Sequence, residues 1–428
     1  MTVLWGIGGM LALLAVAFAL STNRRAIRPR TVIGALAIQC GFGVIVLYWD
    51  VGKQMLAAAS DAVKAVIGTS NKGIDFLFGP ILPDNEMVFA FQVLPIVVFV
   101  ASLSAVLYHL RILQWVVRII GGALRFVLGT SRSESLLAGS SVFLGQTEAP
   151  LIVRPYLSKM TRSEFFAVMV CGLSTVAGTV LVGYSMLGAR LDYLIAAAFM
   201  AAPGGLLMAK IIIPETAESG TEEPAEVTAT HEGPGAMKAT MAGDTTTSEE
   251  DDEGFGGSRN VIDAAANGAS DGLKLALNIG AMLLAFISLI ALVNLLIGTV
   301  GGLFGAPALS MQQILGYVFA PVMFVIGVPW EEAAAAGSFL GEKLILNEFV
   351  AFADFAPQAE QFSTRTATIT TFALTGFANL GSLAILLGGL GGLVPRRRPE
   401  IAQLGIRAVI AGTLANLMSA AIAGILIG

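Results

Sequence analysis

Gln146, Thr147 and Glu148 stand side by side in FLGQTEAP (143–150), between two apolar runs of a chain that is poor in charge. An amide, a hydroxyl and a carboxylate together supply donors and acceptors for reading the polar edge of a solute. A second polar set follows much later. Asn347 and Glu348 interrupt the apolar LILNEFVAF, and Asn379 and Ser382 lie three residues apart in TGFANLGSLA, with Gly376 and Gly381 loosening the helix around them. A weaker patch, CGLSTVAGTV, carries Ser174, Thr175 and Gly178. Neither Glu148 nor Glu348 has a second carboxylate, a Ser/His pair or a metal-ligand spacing around it, so an intramembrane enzyme is disfavoured. Cys40 and Cys171 both fall in apolar runs and read as small buried hydrophobes, and His109 and His231 are far from them in sequence. No G-x-S-x-G, H-E-x-x-H or phosphate-loop pattern occurs.

These side chains must be positioned inside a membrane. Of the 428 residues, 55% are hydrophobic and 13% charged, far from the balance of a soluble domain. The fold class expected is an all-α polytopic membrane protein. Eight runs approach the roughly 20 residues that cross a hydrocarbon core as a helix: 3–20, 31–49, 88–110, 164–187, 192–213, 270–298, 366–393 and 403–427. The first has no preceding basic residue and is followed by Arg24, Arg25, Arg28 and Arg30, which favours a retained span over a signal peptide. Lys and Arg in short loops prefer the cytoplasmic side, so these arginines put both termini on the periplasmic side. Arg111, Arg118, Arg125 and Arg132 recur at intervals of seven and are expected to form a stripe on one helix at the inner surface. Trp5, Trp49, Trp115 and Trp330 fall near expected span ends, as an aromatic belt requires.

The region 132–160 is apolar, yet basic residues flank it on what must be one side, Arg132 before it and Lys159 and Arg162 after it. A re-entrant hairpin with its tip at Gly145–Pro150 satisfies both facts. Irregular backbone at that depth is tolerated only when it is buried in protein or lines a wet cavity. A carboxylate there costs about 2.5–3.5 kcal/mol on insertion scales and marks a candidate binding site. Residues 311–358 again show two apolar pieces around a break, a hairpin entering from the outer side with Asn347 and Glu348 at its tip. A hairpin followed by a weakened span thus occurs twice with opposite entry, the pattern of an inverted repeat with a midplane site. On this basis the chain divides into 1–110 (N-terminal spans and interfacial segment), 111–213 (surface helix, first hairpin and two spans), 214–260 (linker), 261–310 (sixth span) and 311–428 (second hairpin and last spans). The linker holds twelve acidic and two basic residues, a charge of −10 in a chain of −5, which leaves the remainder at +5. Its composition supports a disordered cytoplasmic loop rather than a metal site.

GQTEAPLIVRPYL, AAPGGLLMAK, NEFVAF and GFANLGSLAILLGGL, in this order, closely resemble the bacterial concentrative nucleoside transporters, over nearly the whole chain except the linker. The resemblance implies a homotrimer of eight-span protomers in the bacterial inner membrane. Each would carry two opposed hairpins in a transport domain that moves like an elevator against a scaffold formed largely by residues 1–110 and the sixth span. The cargo it implies is a nucleoside such as uridine, taken up with a cation; no cofactor and no nucleic acid is implied. By matching motifs, Gln146, Thr147 and Glu148 would read the nucleobase, and Glu348, Asn379 and Ser382 would hold the ribose. Val180, Leu275 and Phe377 match the apolar positions around the base. A site built to bond ribose hydroxyls rejects analogues that lack them.

The coupling ion is where the sequence departs from the sodium-coupled members, which place Asn where this chain has Ser141. The remaining sodium positions would be Thr175 by its side chain and Leu144 and Val176 by their carbonyls. Proton-coupled members resemble this chain in having Ser there, so proton symport is expected, with sodium symport the alternative. A carboxyl in a membrane can carry a proton because desolvation disfavours its charged form, which makes Glu148 and Glu348 the candidates. A nucleobase carrier or a channel are further alternatives; the ribose set speaks against the first and the opposed hairpins against the second. Deleting most of 220–255 is expected to leave uptake unchanged at equal surface levels. Lost uptake in a normally inserted deletion protein would contradict the disordered-linker reading.

Overall fold

The computed structural model describes residues 2–82, 88–217, 258–303, 305, 306 and 308–427, and among these every regular element is helical. The expected disordered linker therefore lies outside the described residues over 218–257. α1 (Thr2–Ala19) and α2 (Pro29–Gly43) fall on the first two expected crossings; Pro29 opens α2, where a missing N–H costs nothing, and a wider π turn at Val44–Tyr48 extends it. α3 (Asp50–Gly68) and α4 (Asn71–Phe78) precede α5 (Phe89–Gln92) and α6 (Leu94–His109).

The arginine stripe is only half realised. α7 (Ile112–Leu128) carries Arg118 and Arg125, but Arg111 sits before it in the left-handed region at φ 62° and Gly129 ends it at φ 65°. Arg132 instead opens the next helix. The two left-handed residues turn the chain at both ends of α7, so a seven-residue spacing that fits one helix is divided among three segments.

α8 (Arg132–Ser141) starts on a capping box in which Ser131 and Glu134 satisfy each other's backbone amides. α9 (Ala149–Ile152) and α10 (Arg154–Leu157) return from the tip. α11 (Arg162–Ser174) starts on a second capping box, Thr161 with Glu164, and α12 (Gly178–Met186) continues it after an extended break at Thr175–Ala177. α13 (Leu191–Ile212) carries in its last turn Lys210, a buried cation paired with Glu134 and donating to Ser163 Oγ at 2.9 Å. Arg397 donates to the carbonyls of Leu157 and Met160 at 3.0 and 2.8 Å. These two cations fasten the base of the first hairpin to the bundle.

α14 (Val261–Leu303) contains the expected sixth crossing but runs for 43 residues, about 65 Å at 1.5 Å per residue, twice what a bilayer core requires. It packs along α6 through Gly268 and Gly272: a Cβ on Gly272 would lie 2.7 Å from Ala101 Cβ and 2.8 Å from Val98 Cα. Small residues one turn apart let two backbones approach this closely. Ser102 Oγ adds a 2.8 Å bond to the Ala265 carbonyl.

The region expected as one hairpin over 311–358 contains three helices. α15 (Met311–Val325) bends by 116° into α16 (Trp330–Ile345) across a turn that includes Gly327 at φ 113° and Pro329, and only the second break, at Leu346–Asn347, forms the tip before α17 (Glu348–Phe355). The expected seventh crossing is split into α18 (Thr364–Leu374) and α19 (Leu380–Leu393), and α20 (Arg398–Ile427) closes the chain. Among the described residues, six segments are long and apolar enough to cross a bilayer singly: Pro29–Tyr48, Phe89–His109, Arg162–Met186, Leu191–Ile212, Val261–Leu303 and Pro395–Ile427. α1 and Leu380–Leu393 are apolar but shorter. The largest buried core gathers α8, α11, α13, α18 and α20.

Replacing Gly272 with Leu forces α14 off α6. We expect a loss of about 1–3 kcal/mol, as for other overpacked contacts, read as a lower unfolding temperature of the purified protein in detergent. An unchanged transition would contradict the close α6–α14 packing.

Candidate functional site

A helix that stops inside an apolar bundle leaves backbone groups that the protein itself must satisfy. Four such breaks meet here: the two hairpin tips and the breaks at 175–177 and 375–379. Phe143 at the first tip accepts the Gly178 amide at 3.0 Å, and the Phe377 amide donates to the Thr175 carbonyl at 3.2 Å. The first tip is thereby bonded to one broken helix, and the two broken helices to each other.

Asn379 is the N-cap of α19, its Oδ1 accepting the Ser382 amide at 2.7 Å, while its Nδ2 donates to Glu348 Oε2 at 2.8 Å. The sequence places Asn379 and Ser382 on one helix face; instead Asn379 is outside the helix, where its short polar side chain caps the first turn. Glu348 is the first residue of α17, and Asn347 caps that helix by accepting the Val350 amide at 2.9 Å. Gln146 completes the line from the other hairpin, its Nε2 donating to Ser382 Oγ at 3.3 Å. Glu348, Asn379, Ser382 and Gln146 thus form one hydrogen-bonded chain between the hairpins. Gln146 Oε1, at the end of that chain, is buried and accepts no hydrogen bond, a deficit that costs about 1–3 kcal/mol unless a donor arrives.

Thr147 and Glu148 are half-buried, and Glu148 Oε2 accepts the Gly145 amide at 3.3 Å. Asp271, on α14, is an acidic charge that bears on Glu148. Val180 is buried, with Leu275 and Phe377 half-buried against the same apolar cluster as Phe349 and Leu346. Ser141 and Thr175 are fully enclosed, and each hydroxyl donates back to its own helix, to the Leu137 carbonyl at 2.9 Å and the Cys171 carbonyl at 2.7 Å. Their lone pairs stay available to a donor or a cation. Leu144 and Val176 are buried beside these breaks.

Three residues around this centre do not figure in the sequence reading. Lys343 is completely buried; its ammonium donates to the Ala373 carbonyl at 2.7 Å and to Asn416 Oδ1 at 3.0 Å, and its charge bears on Glu348. Asn416 in turn donates to the Ser174 carbonyl at 2.6 Å. One lysine and one asparagine therefore cap the C-terminal ends of both broken helices, where a positive charge also opposes the negative end of the helix dipole. Tyr184 stacks on Phe352 at 4.5 Å, and its hydroxyl lies toward Glu348 without closing a well-formed hydrogen bond. The sequence does carry a signal for Lys343, a lysine inside the apolar SFLGEKLIL, because a charge there is expensive.

Residues 193–424 match the family model described as the C-terminus of Na+ dependent nucleoside transporters, 8–81 match its N-terminal counterpart, and 90–190 match a model described as nucleoside recognition. The chain belongs to the concentrative nucleoside transporter family. It is a membrane carrier of that family and not an enzyme. Among its relatives, an uncharacterized transporter of Bacillus subtilis, YutK, is 51% identical over the full length of both chains. The nucleoside permease NupC of Helicobacter pylori is 44% identical over 99% of this chain and 98% of its own. The solved structure of the transporter CNTnw in an inward-facing substrate-bound state is 48% identical and superimposes with a TM-score of 0.89, covering 100% of this chain and 98% of that one.

Replacing Asn416 of the transporter with Leu removes the donor to Ser174 and a partner of the buried Lys343 ammonium. We expect a destabilisation of at least about 1–3 kcal/mol, seen as a lowered unfolding temperature. A wild-type transition would show that the two helix ends do not depend on this residue.

Proposed function

We propose that this protein imports nucleosides across the bacterial inner membrane in symport with protons, the nucleoside lying between the two hairpin tips. The observation that carries this reading is the chain from Glu348 to Gln146, which ends in a buried acceptor without a donor. The N–H edge of a nucleobase supplies such a donor, with Thr147 and Glu148 beside it. Glu348, Asn379 and Ser382 suit the vicinal hydroxyls of ribose, where a bond to a carboxylate is stronger than a neutral one. Val180, Leu275 and Phe377 offer apolar contact to the base. The two hairpins with α11–α13 and α18–α20 would move as one unit against α6 and α14, in an elevator cycle within a homotrimer of eight-span protomers whose termini face the periplasm.

Ser141 supports the proton because its hydroxyl reaches less far toward a metal ion than the amide of sodium-coupled members. Sodium is the second reading. The hydroxyl oxygens of Ser141 and Thr175 retain lone pairs, and with the Leu144 and Val176 carbonyls they still offer an all-oxygen set for a small hard cation.

Uridine uptake into proteoliposomes under separately imposed proton and sodium gradients tests both readings. We expect accumulation with the proton gradient alone, preference for uridine over its 2′-deoxy analogue and over free uracil, and severe loss of uptake in inserted Glu348→Gln protein. Accumulation driven only by sodium would transfer the coupling to the Ser141 and Thr175 set. Full uptake by Glu348→Gln would overturn the ribose assignment.

A further inference from the structure

Of the four arginines spaced by seven, Arg118 and Arg125 remain together on α7, a helix to which the nucleoside site assigns no role. Both ends of α7 lie at the ends of membrane-crossing segments. It starts where Phe89–His109 stops, after the turn at Arg111, and its last turn is bonded to the start of Pro29–Tyr48. There Arg30 donates to the Phe126 carbonyl at 2.8 Å and Thr31 Oγ1 to the Leu128 carbonyl at 3.0 Å. A helix of 17 residues, about 25 Å long, is thereby laid along one surface of the bilayer.

At about 100° per residue, the side chains of α7 divide into three faces. Val117, Gly121, Leu124 and Leu128 are buried, and the helix meets α8 so closely that a Cβ on Gly121 would lie 3.0 Å from Leu136 Cα and one on Gly139 2.9 Å from the Gly121 nitrogen. Opposite them, Ile112, Trp115, Ile119 and Phe126 share an arc of about 80° and face outward, with Trp115 66% and Phe126 83% exposed. Arg118 and Arg125 are exposed along one edge of that arc, about 10 Å apart along the helix axis. No acid of the helices packed on α7 offsets them: α2, α6 and α7 contain no Asp or Glu, and Glu134 of α8 is paired with Lys210.

We propose that this outer face of α7 is a docking surface for anionic phospholipids of the adjoining leaflet, with the apolar arc in the acyl boundary and Arg118 and Arg125 on the headgroup phosphates. The apolar arc alone suits any lipid. The guanidinium row selects among them, because it bonds phosphate bidentately and gains from a negative surface, whereas a zwitterionic headgroup presents its own cation to the row. A second copy of this face is the poorer occupant, since it would bring four guanidinium groups into one contact with no acid between them. The close approach of Gly121 and Gly139 holds α7 against the first arm of the hairpin that carries Gln146, so lipid held at α7 is held at the base of that hairpin. The lipid surface does not depend on the nucleoside reading.

Trp115 reports on this surface directly. Full-length protein is reconstituted into phosphatidylcholine vesicles that carry an equal small fraction of either brominated phosphatidylglycerol or brominated phosphatidylcholine, and the Trp115 signal is taken as the difference between wild type and Trp115→Phe. We expect brominated phosphatidylglycerol to quench Trp115 more strongly, with a preference of about fivefold for each arginine. The double variant Arg118→Gln, Arg125→Gln is expected to lose that preference, and Arg118→Lys, Arg125→Lys to keep most of it. Both arginines are exposed, so an unchanged unfolding temperature identifies the variants as folded. Inorganic phosphate at constant ionic strength is expected to leave the quenching unchanged. Equal quenching of wild type by the two lipids, a preference that survives in the folded Gln variant, displacement by free phosphate, or a Trp115 that neither lipid reaches overturns the proposal.

Discussion

The fold depends on one constraint: helix ends that stop inside an apolar body have to be satisfied by protein groups. Lys343 and Asn416 satisfy it on the C-terminal side, between them bonding the Ala373 and Ser174 carbonyls of the two broken helices. Asn347 and Asn379 satisfy it on the N-terminal side by capping α17 and α19. Once these ends are satisfied, the chain can hold irregular backbone, and with it exposed polar groups, where a continuous helix would present only side chains.

The same interactions serve geometry and chemistry at once. Asn379 has a single orientation compatible with its neighbours, oxygen toward an amide and nitrogen toward a carboxylate, so the cap also fixes the face that Glu348 presents. Gly376, with φ 155°, lies so close to the Asn416 side chain that a Cβ there would collide with it, and the Asn416 amide is already committed on both sides. The break at 375–379 is therefore shaped from behind by α20. The front is shaped by Gln146, which arrives from the other hairpin and ties the two halves together through Ser382.

Charge is distributed with equal economy. Lys210 with Glu134, and Arg397 with the carbonyls of Leu157 and Met160, sit at the base of the first hairpin, whereas Lys343 serves the centre.

Much of this was legible in the sequence. The long apolar runs mark the bundle, and QTE, NE and the Asn379–Ser382 step mark polar groups that the structure brings together, because each places costly groups in apolar surroundings. Periodicity misled where backbone geometry intervened. The arginines of 111–132 are dealt out among segments by left-handed residues at both ends of α7, and the 311–358 region bends at Gly327–Pro329 before it reaches its tip. Spacing along a chain does not encode such turns. Nor does it encode which distant side chain caps a broken helix: Asn416 meets Lys343 and Ser174 only because α11, α16, α18 and α20 pack together. The sequence by itself determined which residues must be paid attention to as polar groups in an apolar chain; tertiary packing alone decided their partners, since hydrogen bonding inside a dry bundle depends on distance in space and not on separation in sequence.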